Sequence, residues 1–337
     1  MTRYSGNRGS SSSAATLRHI RKYHINTAAG PRAYWRNYCM TALRIHFKKY
    51  RVCYLMLTPF FSMLFVFTVL PLITSVVLSF TDFNMLQWPN WVGWDNYRHL
   101  LVGDDVFWIA FRNTMLFTLV TGPIGYALSV LLAWFINELR GFLRTFLTLL
   151  IYAPSMMAGA YFVWFYLFSP DAYGYINGFL LRWSIIKQPI EWLIDPRFNM
   201  YVLMLIQLWV SMGAGFLSII AGFKAVDRTL YEAASIDGIR NRFQELLRIT
   251  LPAIAPQLLF AAILQVAASF AVSEISINLA GFPSTEHSAT TIGTHLIDYA
   301  QVRREMGNAS ALAVLLFLLM ISANYLLRRA FKNTVDY

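Results

Sequence analysis

The residues best suited to recognition chemistry lie in one charged segment, Tyr231-Glu232-Ala233-Ala234-Ser235-Ile236-Asp237-Gly238. It continues through Gln244 and Glu245 to Ile249-Thr250-Leu251-Pro252, between two long apolar runs. Glu232 offers a carboxylate that would pair strongly with an Arg across an interface. Ala233 and Ala234 are small enough for a facing surface to approach the helix closely, and Gly238 removes a side chain at a turn. With Gly238 and Pro252 as its only breakers, the segment predicts a helix, a joint at Gly238 and a second helix that stops before Pro252. A solvated loop would use Glu232, Asp237 and Arg240 in the same way, so the charges by themselves leave docking and solvation both open.

A second group of polar residues sits inside apolar sequence. Gln207, Ser211, Gly215 and Ser218 recur at three- and four-residue intervals, as do Gln265, Ser269 and Ser273, which puts each set on one helix face. Such stripes suit a polar pathway and equally suit packed membrane helices, which favour small and hydroxyl residues at their contacts. Glu274 is the sharper case. A carboxylate at the centre of a span costs about 2.5–3.5 kcal/mol and needs water or a partner, whereas near a span's end it reaches the polar boundary.

Several chemistries are missing. The chain has no G-x-x-x-x-G-K-[ST] loop to cradle a phosphate, and so no route of that kind to ATP hydrolysis. It lacks H-E-x-x-H, G-x-S-x-G and any Cys/His cluster at metal spacing, which leaves no candidate catalytic residue and no candidate metal site. His295 and Asp298, three apart, read as a helix-surface pair rather than cation ligands.

A membrane bundle must position these residues. Hydrophobic residues make up 57% of the 337 and charged residues 13%, with a mean hydropathy of +0.48; the charged share is about half that of an average soluble chain. The fold class is therefore an all-α integral membrane protein. A span takes about 20 apolar residues, and six such runs occur, at 54–80, 113–136, 146–168, 201–223, 253–275 and 309–327. Of the 28 Lys and Arg, 21 fall on the side of the N-terminal tail and 7 on the other, while acidic residues divide 6 to 11. Cytoplasmic flanks carry the cationic excess. A multi-pass protein of the plasma membrane is thus expected, with both termini and the Glu232 segment in the cytoplasm.

The tail, residues 1–51, is basic and contains no acidic residue. Its Ser- and Gly-rich stretch 5–15 predicts disorder. Residues 32–51 place Trp35, Tyr38, Ala42, Ile45 and Lys49 at helical spacing, as in a helix lying on anionic membrane lipid. No nucleic-acid recognition module accompanies these charges. A cleavable signal peptide is excluded by the late start and full span length of the first apolar run. Cys39 and Cys53, in or beside the tail, are expected as free thiols.

Glu232-Ala233-Ala234, three residues, Gly238 and then Ile249-x-Leu251-Pro252 resemble, in its topological place, the EAA signature of the permease subunits of ABC-type importers. Tyr54-Leu55-Met56-Leu57-Thr58-Pro59, Pro71, Ser79-Phe80-Thr81-Asp82, Val92-Gly93-Trp94-Asp95-Asn96-Tyr97, Phe107-Trp108 and Asn113-Thr114 resemble that family's carbohydrate-importing branch, of the maltose or multiple-sugar type. So do Leu279-Ala280-Gly281-Phe282-Pro283, Thr290-Thr291 and Gly307-Asn308-Ala309-Ser310-Ala311-Leu312-Ala313, and the likeness covers residues 54–328. It implies a type I importer permease fold of six transmembrane helices. The permease domain would be 52–337, with its core at 109–328 and a coupling loop at 224–252.

The resemblance also implies partners. These are cytoplasmic ABC ATPase subunits that hold ATP and Mg while this chain carries no cofactor, a second permease expected to be a different chain, and an extracytoplasmic solute-binding protein. Glu232, Ala233, Ala234, Asp237, Gly238, Ile249, Leu251 and Pro252 would form the ATPase-coupling loop. Gln207, Trp209, Ser211, Gln265, Ser269, Ser273 and Glu274 would be candidates for the substrate pathway. Trp209, with Tyr152, Tyr161, Trp164 and Tyr166, offers faces on which sugar rings stack, though interfacial belts use the same residues. The outer loop 169–199 would be a platform for the binding protein or a plain connector. Importers of peptides, polyols or ions share the docking segment but not the match in the outer segments, and a lone enzyme or channel would need a constellation absent from the chain. One departure stands out: ten residues separate Gly238 from Ile249, one more than the family's spacing. An extra helical residue rotates the rest of its helix by about 100° and advances it by about 1.5 Å, which bears on the register of Gln244 and Glu245.

Overall fold

Breakers decide where the helices of this chain stop. The computed structural model describes residues 50–157, 159–239 and 241–335, which are helical apart from connecting loops and one isolated β-bridge, Thr81 to Trp91. The expectations for residues 1–49, including the disordered stretch, most of the surface helix and Cys39, lie outside the described residues. Cys53 is a free, exposed thiol. The chain divides into two units, Met1–Pro71 and Leu72–Tyr337.

Helix α1 is the run Arg51–Leu78, apolar and largely exposed. It widens into a π turn at Phe65–Val69, closed by the Leu70 amide on the Phe65 carbonyl. In the second unit α2 is Asp105–Glu138 and α3 is Gly141–Met156. Next come α4, Asn199–Val210, and α5, Ala214–Ala225, bent by 43° at a break where the Gly213 amide turns to the Ser211 carbonyl at 2.8 Å. The short α6 is Arg228–Ile236. Finally α7 is Ala255–Phe270, α8 Ser273–Ala280, α9 Ile292–Ile297 and α10 Met306–Val335.

Among the described residues four helical runs are long and apolar enough to cross a membrane, Arg51–Leu78, Asp105–Glu138, Ala255–Ala280 and Met306–Phe331, and the bent α4–α5 pair makes a fifth. The expected crossing at 146–168 is no single helix. It is α3 and then a short helix, Phe162–Leu167, with Gly159 between them at φ +76°. Pro154 weakens the last turn of α3 by removing an amide donor.

Small residues let α2, α5 and α7 approach closely. A Cβ on Gly215 would lie 3.2 Å from the Ala261 backbone, and one on Gly125 would overlap the Gln265 side-chain amide. Phe216, Ile219, Phe223, Leu258 and Ala133 fill the contact between these three helices.

The far end of the second unit brings together segments that are distant in sequence. Asn96 Nδ2 donates to the carbonyls of Ser79 and Thr81, each at 2.8 Å, and the Gly307 amide reaches the Phe83 carbonyl at 3.0 Å. Asn113 Nδ2 donates to the carbonyls of His287, Ser288 and Thr290, while Thr114 Oγ1 accepts the Ile292 amide at 2.9 Å. His295 is not a surface residue. It is buried, with Nε2 2.6 Å from Asp104 Oδ2, an oxygen that also accepts the Tyr299 hydroxyl at 2.9 Å. Asp298 pairs instead with Arg303, at 2.7 Å. Asp104 Oδ1 takes the amides of Val106 and Phe107, so one carboxylate caps α2 and ties it to α9 and the turn beyond.

Burial alone raises the Asp104 pKa, but the hydrogen bonds from His295 and Tyr299, the charge of His295 and the Phe107 amide outweigh it and hold the carboxyl below its usual range. Facing that carboxylate, His295 Nε2 carries a proton. A depressed pKa contributes stability that is complete above the unfolded value of about 3.9 and disappears as pH falls through the lower folded value. Thermal unfolding of the purified protein should therefore hold its midpoint from neutral pH to about 5 and fall in more acid solution, with a smaller acid loss in Asp104→Asn. An acid loss of the same size in that variant would contradict the assignment.

Candidate coupling segment and polar pathway

Asp227 starts α6 by accepting the Thr229 amide at 3.0 Å. The helix ends in a paired cap: the Ile239 amide bonds the Ala234 carbonyl at 3.0 Å, and the Gly238 amide reaches the Ser235 carbonyl at 3.4 Å. That pairing needs a left-handed residue at its centre, and Gly238 supplies it at φ +88°. A Cβ there would meet nothing within 4 Å, so within this chain Gly238 is required by conformation rather than by space. Glu232, Ala233 and Asp237 are exposed, and so is Ile236, at 86%. Ala234 instead is buried in its own chain, which leaves Ala233 as the small residue on the open face.

Beyond Gly238, Asn241 caps a short helix, Arg242–Glu245, by accepting the Phe243 amide. Arg242 pairs with Glu245 at 3.0 Å, and that bond, with the charges of Glu138 and Glu245, holds its guanidinium still more firmly protonated. A π turn comes next at Leu246–Thr250, closed by the Leu251 amide on the Leu246 carbonyl. Helix continues through Leu251–Ala253, so the second helix does not stop before Pro252, and the break comes at Ile254. The wider turn takes up one residue locally. The ten residues between Gly238 and Ile249 thus run through the short helix Arg242–Glu245 and into this turn. This π turn and the one in α1 each sit directly ahead of a Leu-Pro pair, Leu251-Pro252 and Leu70-Pro71. A proline ring crowds the carbonyl one turn back and offers it no amide, which a wider turn relieves. Thr250 Oγ1 donates to the Glu245 carbonyl at 3.3 Å and lies 2.9 Å from the Tyr231 hydroxyl, tying this turn to α6. Ile249 and Leu251 are half-buried and Pro252 is exposed.

The polar stripes divide. Gln207, Gln265 and Ser269 are buried. Gln207 Nε2 donates to the Ala268 carbonyl at 2.8 Å, Gln265 Nε2 to Ser211 Oγ at 3.0 Å and the Thr121 carbonyl at 3.3 Å, and Ser269 Oγ to the Val266 carbonyl at 2.8 Å. Ser211, Ser273 and Trp209 are half-buried, with Trp209 edge-on to Trp164 at 5.5 Å between ring centres. Glu274 is exposed and accepts the Tyr161 hydroxyl at 2.8 Å, while Asn278 Nδ2 donates to that hydroxyl at 3.0 Å. The Trp164 indole N–H is buried and has no hydrogen-bond partner among the described residues. Asn278 is not among the residues expected from sequence, although its spacing of four from Glu274 puts the two on one helix face. Among the described residues no group of three or more His, Cys, Asp or Glu could hold a metal.

No family model matches the chain. Curated relatives do. The chain is 29% identical over 292 residues to the probable ABC transporter permease protein YesP of Bacillus subtilis, covering 84% of this chain and 91% of that protein. It is 34% identical over 219 residues to the lactose transport system permease protein LacF of Rhizobium radiobacter, covering 62% and 70%. It is 27% identical over 283 residues to the trehalose/maltose transport system permease protein MalF of Thermococcus litoralis, covering 83% and 93%. Among solved structures, a chain of a bacterial ABC transporter involved in the import of the acidic polysaccharide alginate superposes with a TM-score of 0.71 at 24% identity, covering 86% of this chain and 99% of that one. The second, in complex with an alginate pentasaccharide-bound periplasmic protein, gives 0.72 at 21%, covering 86% and 97%. Those two establish the fold, and the sequence relatives establish the lineage: the chain belongs to the ABC transporter permease family, in its carbohydrate-importing branch.

Proposed function

We propose that this chain is the permease subunit of an ATP-driven, binding-protein-dependent importer that passes a sugar or oligosaccharide across the plasma membrane. Six crossings complete the fold if α3 with Phe162–Leu167 and the bent α4–α5 pair each count as one, with both termini and α6 in the cytoplasm. ATP and Mg belong to separate ATPase subunits. A second permease, a different chain, shares the pathway, and a solute-binding protein delivers cargo from outside. The observation that carries the reading is α6, a charged helix between membrane spans that keeps Glu232 and Ile236 exposed and ends on a left-handed glycine. Such a face is costly in water and finds its use against a partner. Coupling then needs the closed ATPase dimer to bind the outward-facing arrangement of the permeases better than the inward-facing one, with α6 as the lever between them.

The solute route is read along Glu274, Asn278, Tyr161, Trp164 and Trp209, where exposed polar groups stand beside aromatic faces. Ser211 and Ser273 flank it, while Gln207, Gln265 and Ser269 hold the surrounding helices in register.

Two experiments test the reading. A Gly238→Asp side chain at φ +88° carries a strain of about 1–2 kcal/mol and should disrupt the cap of α6. Uptake of radiolabelled oligosaccharide by the assembled transporter should fall to background while the permease still inserts; full uptake would remove the coupling assignment. For the pathway, Glu274→Ala and Asn278→Ala should each raise the half-saturating solute concentration several-fold, consistent with about 1 kcal/mol per lost hydrogen bond. Unchanged affinity and rate in both would move the route elsewhere.

A further inference from the structure

A cleft of about 390 Å³ opens where the α2–α3 connection, the end of α5, α6 and the run from Arg242 meet. Five cationic side chains line it, Arg140, Arg144, Lys224, Arg228 and Arg242, against two carboxylates, Glu138 and Glu245. Two of the five are engaged. Arg144 donates to the carbonyls of Leu139 and Asn137 and so closes the end of α2, and Arg242 is paired with Glu245. Arg140, Lys224 and Arg228 form no ion pair among the described residues. Arg228 moreover stands in the first turn of α6, where the helix dipole disfavours a cation.

We propose that this cleft binds a phosphate-bearing anion, held by Arg140, Lys224 and Arg228. Three cations, one from the α2–α3 connection and two from the stretch joining α5 to α6, suit a group with several anionic oxygens, and a guanidinium engages two of them at once. The site lies at the ends of apolar helices, where basic pockets take anionic lipid headgroups, and it is wide enough for a soluble phosphate too. A bound phosphate would fasten the α2–α3 connection to the first turn of α6 and restrain that helix. The restraint's effect on transport rests on the reading of α6 as the coupling helix; the binding does not.

The test uses the complete transporter, with its ATPase and second permease, in nanodiscs of phosphatidylcholine alone, the same with phosphatidylglycerol added, and the neutral discs with inorganic phosphate. Thermal unfolding of the permease and the phosphatidylglycerol retained after detergent exchange are measured for wild type, Lys224→Gln/Arg228→Gln and the control Arg329→Gln. At about 1 kcal/mol per cation, the double variant should bind the anion on the order of tenfold or more weakly, and the control should match wild type. Stabilisation and retention with phosphatidylglycerol alone identify a lipid headgroup; stabilisation by inorganic phosphate in neutral discs identifies a soluble ligand. Equal responses in wild type and double variant, or no response to either anion, overturn the proposal. If the double variant fails to assemble, the two single variants give the same reading. Failure of the Gly238→Asp uptake test would sink the coupling reading and leave this binding result standing.

Discussion

A break in a helix within hydrocarbon strands amides and carbonyls that water cannot reach, and each costs several kcal/mol unless the chain itself supplies a partner. Much of this protein's polar architecture answers that constraint. Gln207 reaches the Ala268 carbonyl just where α7 gives way to α8, and Gln265 reaches the Thr121 carbonyl within α2. Asn113 alone takes three carbonyls of the turn before α9, and Thr114 receives the first amide of that helix. Ahead of Pro71 and Pro252 a π turn reroutes the ladder instead. Broken helices are thereby tolerated, and broken helices leave room for side chains such as Glu274 and Tyr161 between them.

The same constraint shapes the charged segment around α6. α6 lies between spans and carries its own caps at both ends, Asp227 and the Gly238 pair. Its mechanical attachment is at the other side of the joint. There the π turn, held by Thr250 on Glu245 and touched by Tyr231, links α6 to the root of α7.

Hydropathy made four of the crossings legible, since a long apolar run has few alternatives to a span, and the breakers Gly238 and Pro252 marked out the charged segment between α5 and α7. The break within the expected crossing at 146–168 was not legible, because Pro154 and Gly159 interrupt the backbone without interrupting hydropathy. Nor was the Asp104–His295 bond, which joins residues 191 apart; the spacing of His295 and Asp298 pointed to a surface pair, and the fold gives each a different partner. Polar stripes on α4 and α7 carried one pattern, yet Gln207, Gln265 and Ser269 are buried while Ser211 and Ser273 are half-buried. Periodicity names a helix face, but only the neighbouring helix decides how far that face is covered. The extra residue after Gly238 was visible as a count, whereas the π turn at Leu246–Thr250 shows only in the backbone, although the Leu-Pro pair after it also follows the π turn in α1.

The central claim is that the exposed face of α6 is a docking surface for an ATPase subunit. Maleimide labelling of an Ile236→Cys variant, with Cys39 and Cys53 replaced by Ser, measures it directly when the purified permease is compared with the assembled transporter. Docking predicts rapid labelling of the permease alone, strong protection on assembly, and no protection at a Trp88→Cys position on the other side of the membrane. Labelling of position 236 at the same rate with and without the ATPase would contradict it.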